Sequence, residues 1–249
     1  MKITTNTYPE NTAPLLESFF PIPCAWGRLY ADAQQRVALV DLDQLQEHEA
    51  ELLLSEAERE FLQRFRYPKR RREWLGGRVA AKTALLTLHE PEAFQQLTIL
   101  PNEHGRPMVS GAAKSSAALS ITHSGSYAAA LAVQGASCGI DLQEISDKLP
   151  SLTGYFAAAT ELELLAQQPK LGSEETALTM LWAVKEAVKK SVLTDQPGIF
   201  AGITVERIIA VREHVWQFEC AVQGYLQQSA MVYDLSPYVL ALTITNNHA

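Results

Sequence analysis

The sequence predicts an α+β protein built as two similar halves, and three observations carry that reading. Strand-like runs and helix-like runs are segregated rather than alternating one for one. The same order of segments occurs twice along the chain. The length, 249 residues, is long for one small domain and short for two ordinary ones, while 47% hydrophobic and 20% charged residues is ordinary globular composition.

The first half opens with strand-like runs at Trp26–Ala31 and Val37–Leu42. Helical patterns follow over Glu56–Phe65 and Arg70–Leu88. Ser55 and Glu58 frame the first of these as a capping box, in which each side chain satisfies a free N–H of the helix start. A strand at Leu97–Leu100, the loop NEHGRP (102–107), the SGAAKSS stretch (110–116) and strands at Leu119–Thr122 and Tyr127–Val133 complete it. The break falls at Gln134–Ser137 and gives halves of 1–135 and 136–249. The second half begins with a strand at Cys138–Leu142. Helices follow over Glu161–Gln167 and Glu174–Leu193, then strands at Ile203–Val211, Val215–Val222, Met231–Leu235 and Tyr238–Thr245.

LVDLDQL, LSEAERE and WLGGRVAAK in the first half are echoed by CGIDLQEI, ATELELL and WAVKEAVKK in the second. In that register Thr160 and Glu163 repeat the capping box. Trp74 and Lys82 match Trp182 and Lys190, Asp41 matches Asp141, and Arg78 stands where the second half has Glu186. A carboxylate in one copy and a guanidinium in the other resemble the two sides of a metal-and-phosphate site.

Composition excludes several classes. A net charge of -7 argues against a bulk nucleic-acid or membrane-surface binder, so an anionic partner must be met by a local basic patch. Cys24, Cys138 and Cys220 are odd in number and form no CxxC pair, which suits a reduced compartment and excludes a disulfide framework. The N-terminus has no uninterrupted apolar stretch of the signal-peptide kind, and no run approaches the ~20 residues of a membrane span. The expectation is a soluble, cytoplasmic protein.

Candidate chemistry concentrates at a few places. Asp141 ends an apolar strand, and Gly139 before it permits close approach of another backbone or a ligand. Leu178, Leu181, Val184, Val188 and Val192 make a core stripe, beside which Trp182, Glu186 and Lys190 form an i, i+4, i+8 row. Read alone, that row is a surface Glu–Lys pair of about 0.2–0.5 kcal/mol. If the helix packs across the strand end, its carboxylate joins Asp141 as a hard oxygen ligand for Mg²⁺. Thr122, His123, Ser124 and Gly125 fall in a turn between two strands and can donate several hydrogen bonds to a phosphate. Arg106 precedes the stiffening Pro107, and KRRR (69–72) opens the first long helix.

These residues, in order, resemble the surfactin-synthetase-type 4′-phosphopantetheinyl transferases. The match runs through Gly105-Arg106-Pro107, Ser120-Ile121-Thr122-His123-Ser124-Gly125, Gly139-Ile140-Asp141, and Trp182 with Lys185-Glu186-Ala187 and Lys190. It spans about Ser55 to Lys190. The resemblance implies a monomer with an internal pseudo-two-fold, a pseudo-dimer of two α+β halves with the active site at their interface. Each half would be a small antiparallel sheet with a long packed helix. It implies transfer of the phosphopantetheine arm of coenzyme A to a serine of an apo acyl or peptidyl carrier protein, releasing adenosine 3′,5′-bisphosphate. Asp141 and Glu186 are then the Mg²⁺ ligands. Arg72, Arg106, Thr122, His123, Lys185 and Lys190 become coenzyme A contacts, and Asp141, Glu186 and Lys190 the catalytic set. The first half would supply phosphate-binding groups and the second the metal ligands.

One position departs from the family. Many relatives carry a third acid two residues after the Asp, where this chain has Gln143. Its carbonyl or a water can fill that ligand position, whereas Glu144 points to the opposite strand face. Glu186 is the candidate base, directly or through a water, because Lys190 beside a pyrophosphate is held charged. The competing readings are a non-catalytic relative that lost its metal at Gln143 and, against the net charge, a nucleic-acid binder using KRRR. Leu149–Phe156 is a candidate contact for the carrier protein, or else an ordinary packed connection.

Overall fold

The computed structural model describes residues 20–21, 27–31, 34–86, 94–111, 117–193, 200 and 202–246. Cys24, Trp26, residues 87–88 at the expected helix end and 112–116 of the SGAAKSS stretch lie outside them. The chain divides into two compact units that part between Ala136 and Ser137.

In the first unit, strands β1 (Phe20–Pro21), β2 (Gly27–Ala31) and β3 (Gln35–Asp41) lead to helices α1 (Glu47–Glu51), α2 (Glu56–Leu62) and α3 (Pro68–Leu86). Strands β4 (Thr98–Pro101), β5 (Pro107–Ser110), β6 (Ala117–Ser124) and β7 (Tyr127–Gln134) follow. The sheet runs β1-β2-β3-β7-β6, every neighbour antiparallel, and β4 with β5 forms a separate hairpin. Helix α3 lies on β3, β7 and β6. Its small residues Gly76, Gly77, Ala80 and Ala84 are all buried, and β7 offers Ala128, Ala130 and Ala132 from one face. Small side chains on both surfaces let helix and sheet pack closely.

The second unit begins with β8 (Ala136–Glu144), then α4 (Thr153–Phe156), α5 (Ala159–Ala166) and α6 (Glu174–Val192). It ends with β9 (Ile203–Arg212), β10 (Val215–Val222), β11 (Gln228–Leu235) and β12 (Tyr238–Asn246), in the order β8-β12-β11-β10-β9. Strands β9 to β12 pair antiparallel in succession. The core of this unit is α6 (Met180, Leu181, Val184, Val188) against Phe218, Val232, Val239 and Ala241.

The two sheet-and-helix halves are the expected α+β architecture. In each, the strand before the helices (β3, β8) neighbours the last strand (β7, β12), which neighbours the one before it (β6, β11). The sequence spacing missed the short β5 and α1, whose few residues carry too little periodicity to announce an element.

The repeat exists, but its register differs from the one expected. In the first half, Lys82 Nζ lies 2.6 Å from Glu58 Oε2, with both side chains fully buried. It also donates to the carbonyls of Leu53 and Phe94. Glu58 completes the expected capping box with Ser55 and accepts from the Ile99 N–H of β4. In the second half the same device uses Lys185 and Glu161, 2.6 Å apart. Lys185 donates to the Phe156 carbonyl, while Glu161 accepts from the Ala158 and Val205 N–H groups. The second cap is therefore Ala158–Glu161, not Thr160–Glu163. It is only half a box, because alanine has no side-chain acceptor. Lys82 corresponds to Lys185 rather than Lys190, so Glu186 stands opposite Thr83 rather than Arg78. The eight-residue Trp–Lys spacing was a coincidence of helical rows; the buried carboxylate partner identifies the equivalent lysine.

Candidate active site

In the second unit the site is built on the contact between β8 and α6. A Cβ on Gly139 would lie 1.8 Å from the carbonyl oxygen of Ala187, so only glycine lets the strand reach the helix backbone. The ligand that the glycine admits is thus the helix itself. One turn further along α6, Lys190 Nζ donates to Asp141 Oδ1 at 2.6 Å and to the Ile140 carbonyl at 3.0 Å. Asp141 is buried and Lys190 half-buried. Glu186, one residue before the Gly139 contact, is half-buried with Oε1 3.7 Å from Lys189 Nζ. Trp182 packs edge-on against Phe156 and Phe200 and ties α6 to α4.

Gln143 is half-buried and two residues beyond Asp141, hence on the same strand face, while Glu144 is exposed. The donor set of Asp141, Glu186 and the Gln143 carbonyl consists of hard oxygens and suits Mg²⁺, which takes one or two carboxylates with substrate oxygens and waters. Among the described residues no three His, Cys, Asp or Glu side chains cluster as a protein-only metal cage would require. Lys185 is only 3% exposed and bonded to Glu161 and Phe156, away from solvent.

In the first unit, Thr122, His123 and Ser124 belong to strand β6, not to the turn expected there; the turn is Gly125–Ser126, with Gly125 at φ 53°. Thr122 is buried and His123 half-buried. Of the KRRR run, Arg70 is the member that reaches His123, its Nη1 2.9 Å from Nε2. Arg71 pairs with Glu51 and Glu47, and Arg72 Nε lies 3.6 Å from Glu47. The sequence singled out the KRRR run and, within it, Arg72; it did not single out Arg70 or its neighbour Glu73. Their i, i+3 spacing was visible, but His123 lies 53 residues away and only the fold brings it to them.

Arg106 sits in the β4–β5 turn. Asn102 Oδ1 accepts from the N–H groups of His104 and Arg106, and Gly105 adopts φ 81°. The asparagine and glycine fix where Arg106 leaves the turn. Arg78, the guanidinium of the sequence repeat, is instead buried over the Trp74 ring at 4.5 Å. Burial lowers its pKa to about 10 despite the opposing pull of Glu58.

Among the described residues no helix is long and apolar enough to cross a membrane. Cys138 and Cys220 are buried.

Comparison with known proteins gives two family models. Residues 57–133 match the 4′-phosphopantetheinyl transferase N-terminal domain, and residues 137–243 match the 4′-phosphopantetheinyl transferase superfamily. No curated protein matches. Among solved structures, a holo-(acyl-carrier-protein) synthase from Bacillus anthracis, in complex with CoA (3′,5′-ADP), is 22% identical. It covers 41% of this chain and 94% of its own, with a TM-score of 0.37. The holo-[acyl-carrier-protein] synthase of Thermotoga maritima is 24% identical over 43% of this chain and 68% of its own, with a TM-score of 0.35. Each of these likenesses covers less than half of the chain, whereas the two family models together cover most of it. The chain belongs to the 4′-phosphopantetheinyl transferase superfamily, transferases that move phosphopantetheine from coenzyme A to a carrier protein.

Proposed function

We propose that the protein is a Mg²⁺-dependent enzyme of the surfactin-synthetase type, modifying a serine of an apo acyl or peptidyl carrier protein. The observation that supports this most is the β8–α6 contact, where Gly139 against Ala187 and Lys190 against Asp141 bring the G-I-D and K-E-A-x-x-K segments together. Asp141 and Glu186 would hold the ion, with the Gln143 carbonyl or a water in the third position. When bound, Mg²⁺ supplies charge compensation for the pyrophosphate.

The protein's own groups divide the remaining work. The serine oxygen attacks the β-phosphorus of coenzyme A, the bond to the bridging oxygen breaks, and adenosine 3′,5′-bisphosphate leaves. Glu186 accepts the serine proton. Lys190 places its charge at the same strand end and stabilises the leaving phosphate. Thr122, His123 and Arg106 contact the phosphates of coenzyme A, with Arg72 as a peripheral cation; the half up to residue 135 thus serves phosphate binding and the half from 136 serves the metal. Lys185 enters this account through Glu161, holding α6 in place rather than touching coenzyme A. The protein acts as a cytoplasmic monomer, which light scattering on the purified chain would check.

The test is the intact mass of an apo carrier protein after incubation with the enzyme, coenzyme A and Mg²⁺. The expected result is a gain of one phosphopantetheine that EDTA blocks and added Mg²⁺ restores. A gain that persists in EDTA would overturn the metal assignment, and no gain on several unrelated carriers would overturn the substrate assignment.

A further inference from the structure

We propose that Glu73 is the positioning residue for His123, fixing which ring nitrogen is presented to a phosphate. The proposal rests on the reading of His123 as a coenzyme A phosphate contact. Its basis is a three-residue arrangement within the first unit. Arg70 Nη1 stands 2.9 Å from His123 Nε2. A guanidinium only donates, so Nε2 accepts in this contact and a neutral ring carries its proton on Nδ1. Nδ1 faces Glu73 Oε2 at 3.8 Å. The same carboxylate oxygen accepts from Arg70 Nη1 at 3.3 Å, and Lys69 Nζ stands 4.0 Å from Oε1.

Glu73 has only 14% of its side chain exposed, while Lys69 and Arg70 are more than half exposed. It is thus the most buried of these three charged groups beside the ring. One carboxylate therefore orients two phosphate-competent groups at once, drawing Nδ1–H to one side and holding the Arg70 fork beside Nε2. Nε2 is thus the nitrogen turned to the Arg70 side. A phosphate oxygen arriving there meets the Arg70 N–H groups, and the ring itself donates from Nε2 only when Nε2 is protonated and Arg70 has turned from it to the phosphate. Without Glu73 the ring is free to turn over and offer Nδ1 instead, and Arg70 loses its anchor. The arrangement matches the way a carboxylate on the far nitrogen sets the orientation of a histidine that works through its other nitrogen.

The experiment combines Glu73→Gln, Glu73→Asp, His123→Ala and the Glu73→Gln/His123→Ala double variant of the full chain. It measures KM for coenzyme A and kcat on one carrier protein, and the ring ¹⁵N spectrum of histidine-labelled protein. His123→Ala raises KM and identifies the His123 signals. Glu73→Gln is expected to raise KM for coenzyme A roughly tenfold, the worth of one charge-assisted contact, with a smaller change in kcat. It should convert the His123 signals from a single Nδ1–H tautomer to a mixture and raise KM less on the His123→Ala background, where only the Arg70 anchor is left to lose. Glu73→Asp, which keeps the charge, recovers part of the loss. If His123→Ala raises KM but Glu73→Gln leaves both KM and the tautomer unchanged, or is equally damaging without His123, the positioning role is wrong and the phosphate contact stands. If His123→Ala itself leaves KM unchanged, the phosphate contact is wrong.

Discussion

The two halves use one structural device for two purposes. Each sets a buried lysine of its long helix (Lys82, Lys185) against a buried glutamate that caps a short helix (Glu58, Glu161), and each glutamate also takes the N–H of the first strand after the long helix. They differ beside that device. Directly after Lys185 comes the carboxylate of Glu186, and one turn later Lys190 reaches Asp141. Directly after Lys82 comes Thr83, and the charged groups of the first half gather at the opposite end of its helix, around Arg70, Glu73 and His123. The comparison teaches that an ion pair shared by both halves marks the scaffold, and that candidate chemistry is found by asking where the halves disagree.

Glu186→Gln should break the comparison hardest. If Glu186 is the base, turnover falls roughly 10²–10⁴-fold while calorimetry shows coenzyme A still bound. The same-register change in the other half, Thr83→Ser, should leave turnover near that of the parent. Lost coenzyme A binding with normal single-turnover chemistry would refute the base assignment.

Breaking the shared device comes next. Lys82→Met and Lys185→Met each strand a buried carboxylate and should cost about 3–5 kcal/mol in urea unfolding. Replacing both partners, as in Glu58→Leu with Lys82→Met, recovers only part of that loss, because no unpaired charge remains but the Ser55 and Ile99 N–H groups lose their acceptor. A Lys185→Met protein of unchanged stability would contradict the scaffold role given to that lysine.

Gly139→Ala has no counterpart in the comparison, since its added methyl meets backbone rather than a side chain. Overpacking of this kind costs about 1–3 kcal/mol, read as a lowered Tm, with a loss of turnover because β8 and α6 must part. The smallest effect belongs to Gln143→Glu. Activity at saturating Mg²⁺ should be retained and the Mg²⁺ concentration for half-maximal rate should fall; abolished turnover would sink this account of position 143.

The sequence exposed the long elements well because periodicity accumulates with length. Helix α6 and strands β6 to β12 lie close to where alternation and helical spacing placed them. The junction of Gly139, Asp141 and Lys190 was legible for the same reason, as a short glycine–acid strand end and a helix row. What escaped was tertiary. Lys185 and Lys190 look alike on a helical pattern, and only the buried Glu161 tells them apart. Arg70 and Arg72 are two letters of one basic run, and only His123 on β6 and Glu47 on α1 distinguish them. The strand placement of His123 was missed because a histidine between two hydroxyl residues carries the composition of a turn.

The twin capping glutamates also furnish each half with its own reporter of opening. The amide protons of Ile99 and Val205 are bonded to carboxylates that are themselves held by a buried ammonium. Each proton is traded for deuterium only when its own bond to a buried, lysine-held carboxylate opens, so each exchanges at the pace of a deep excursion of its own half rather than of surface fraying. Two backbone signals, one per half, are enough to tell whether this duplicated protein comes apart in one event or in two.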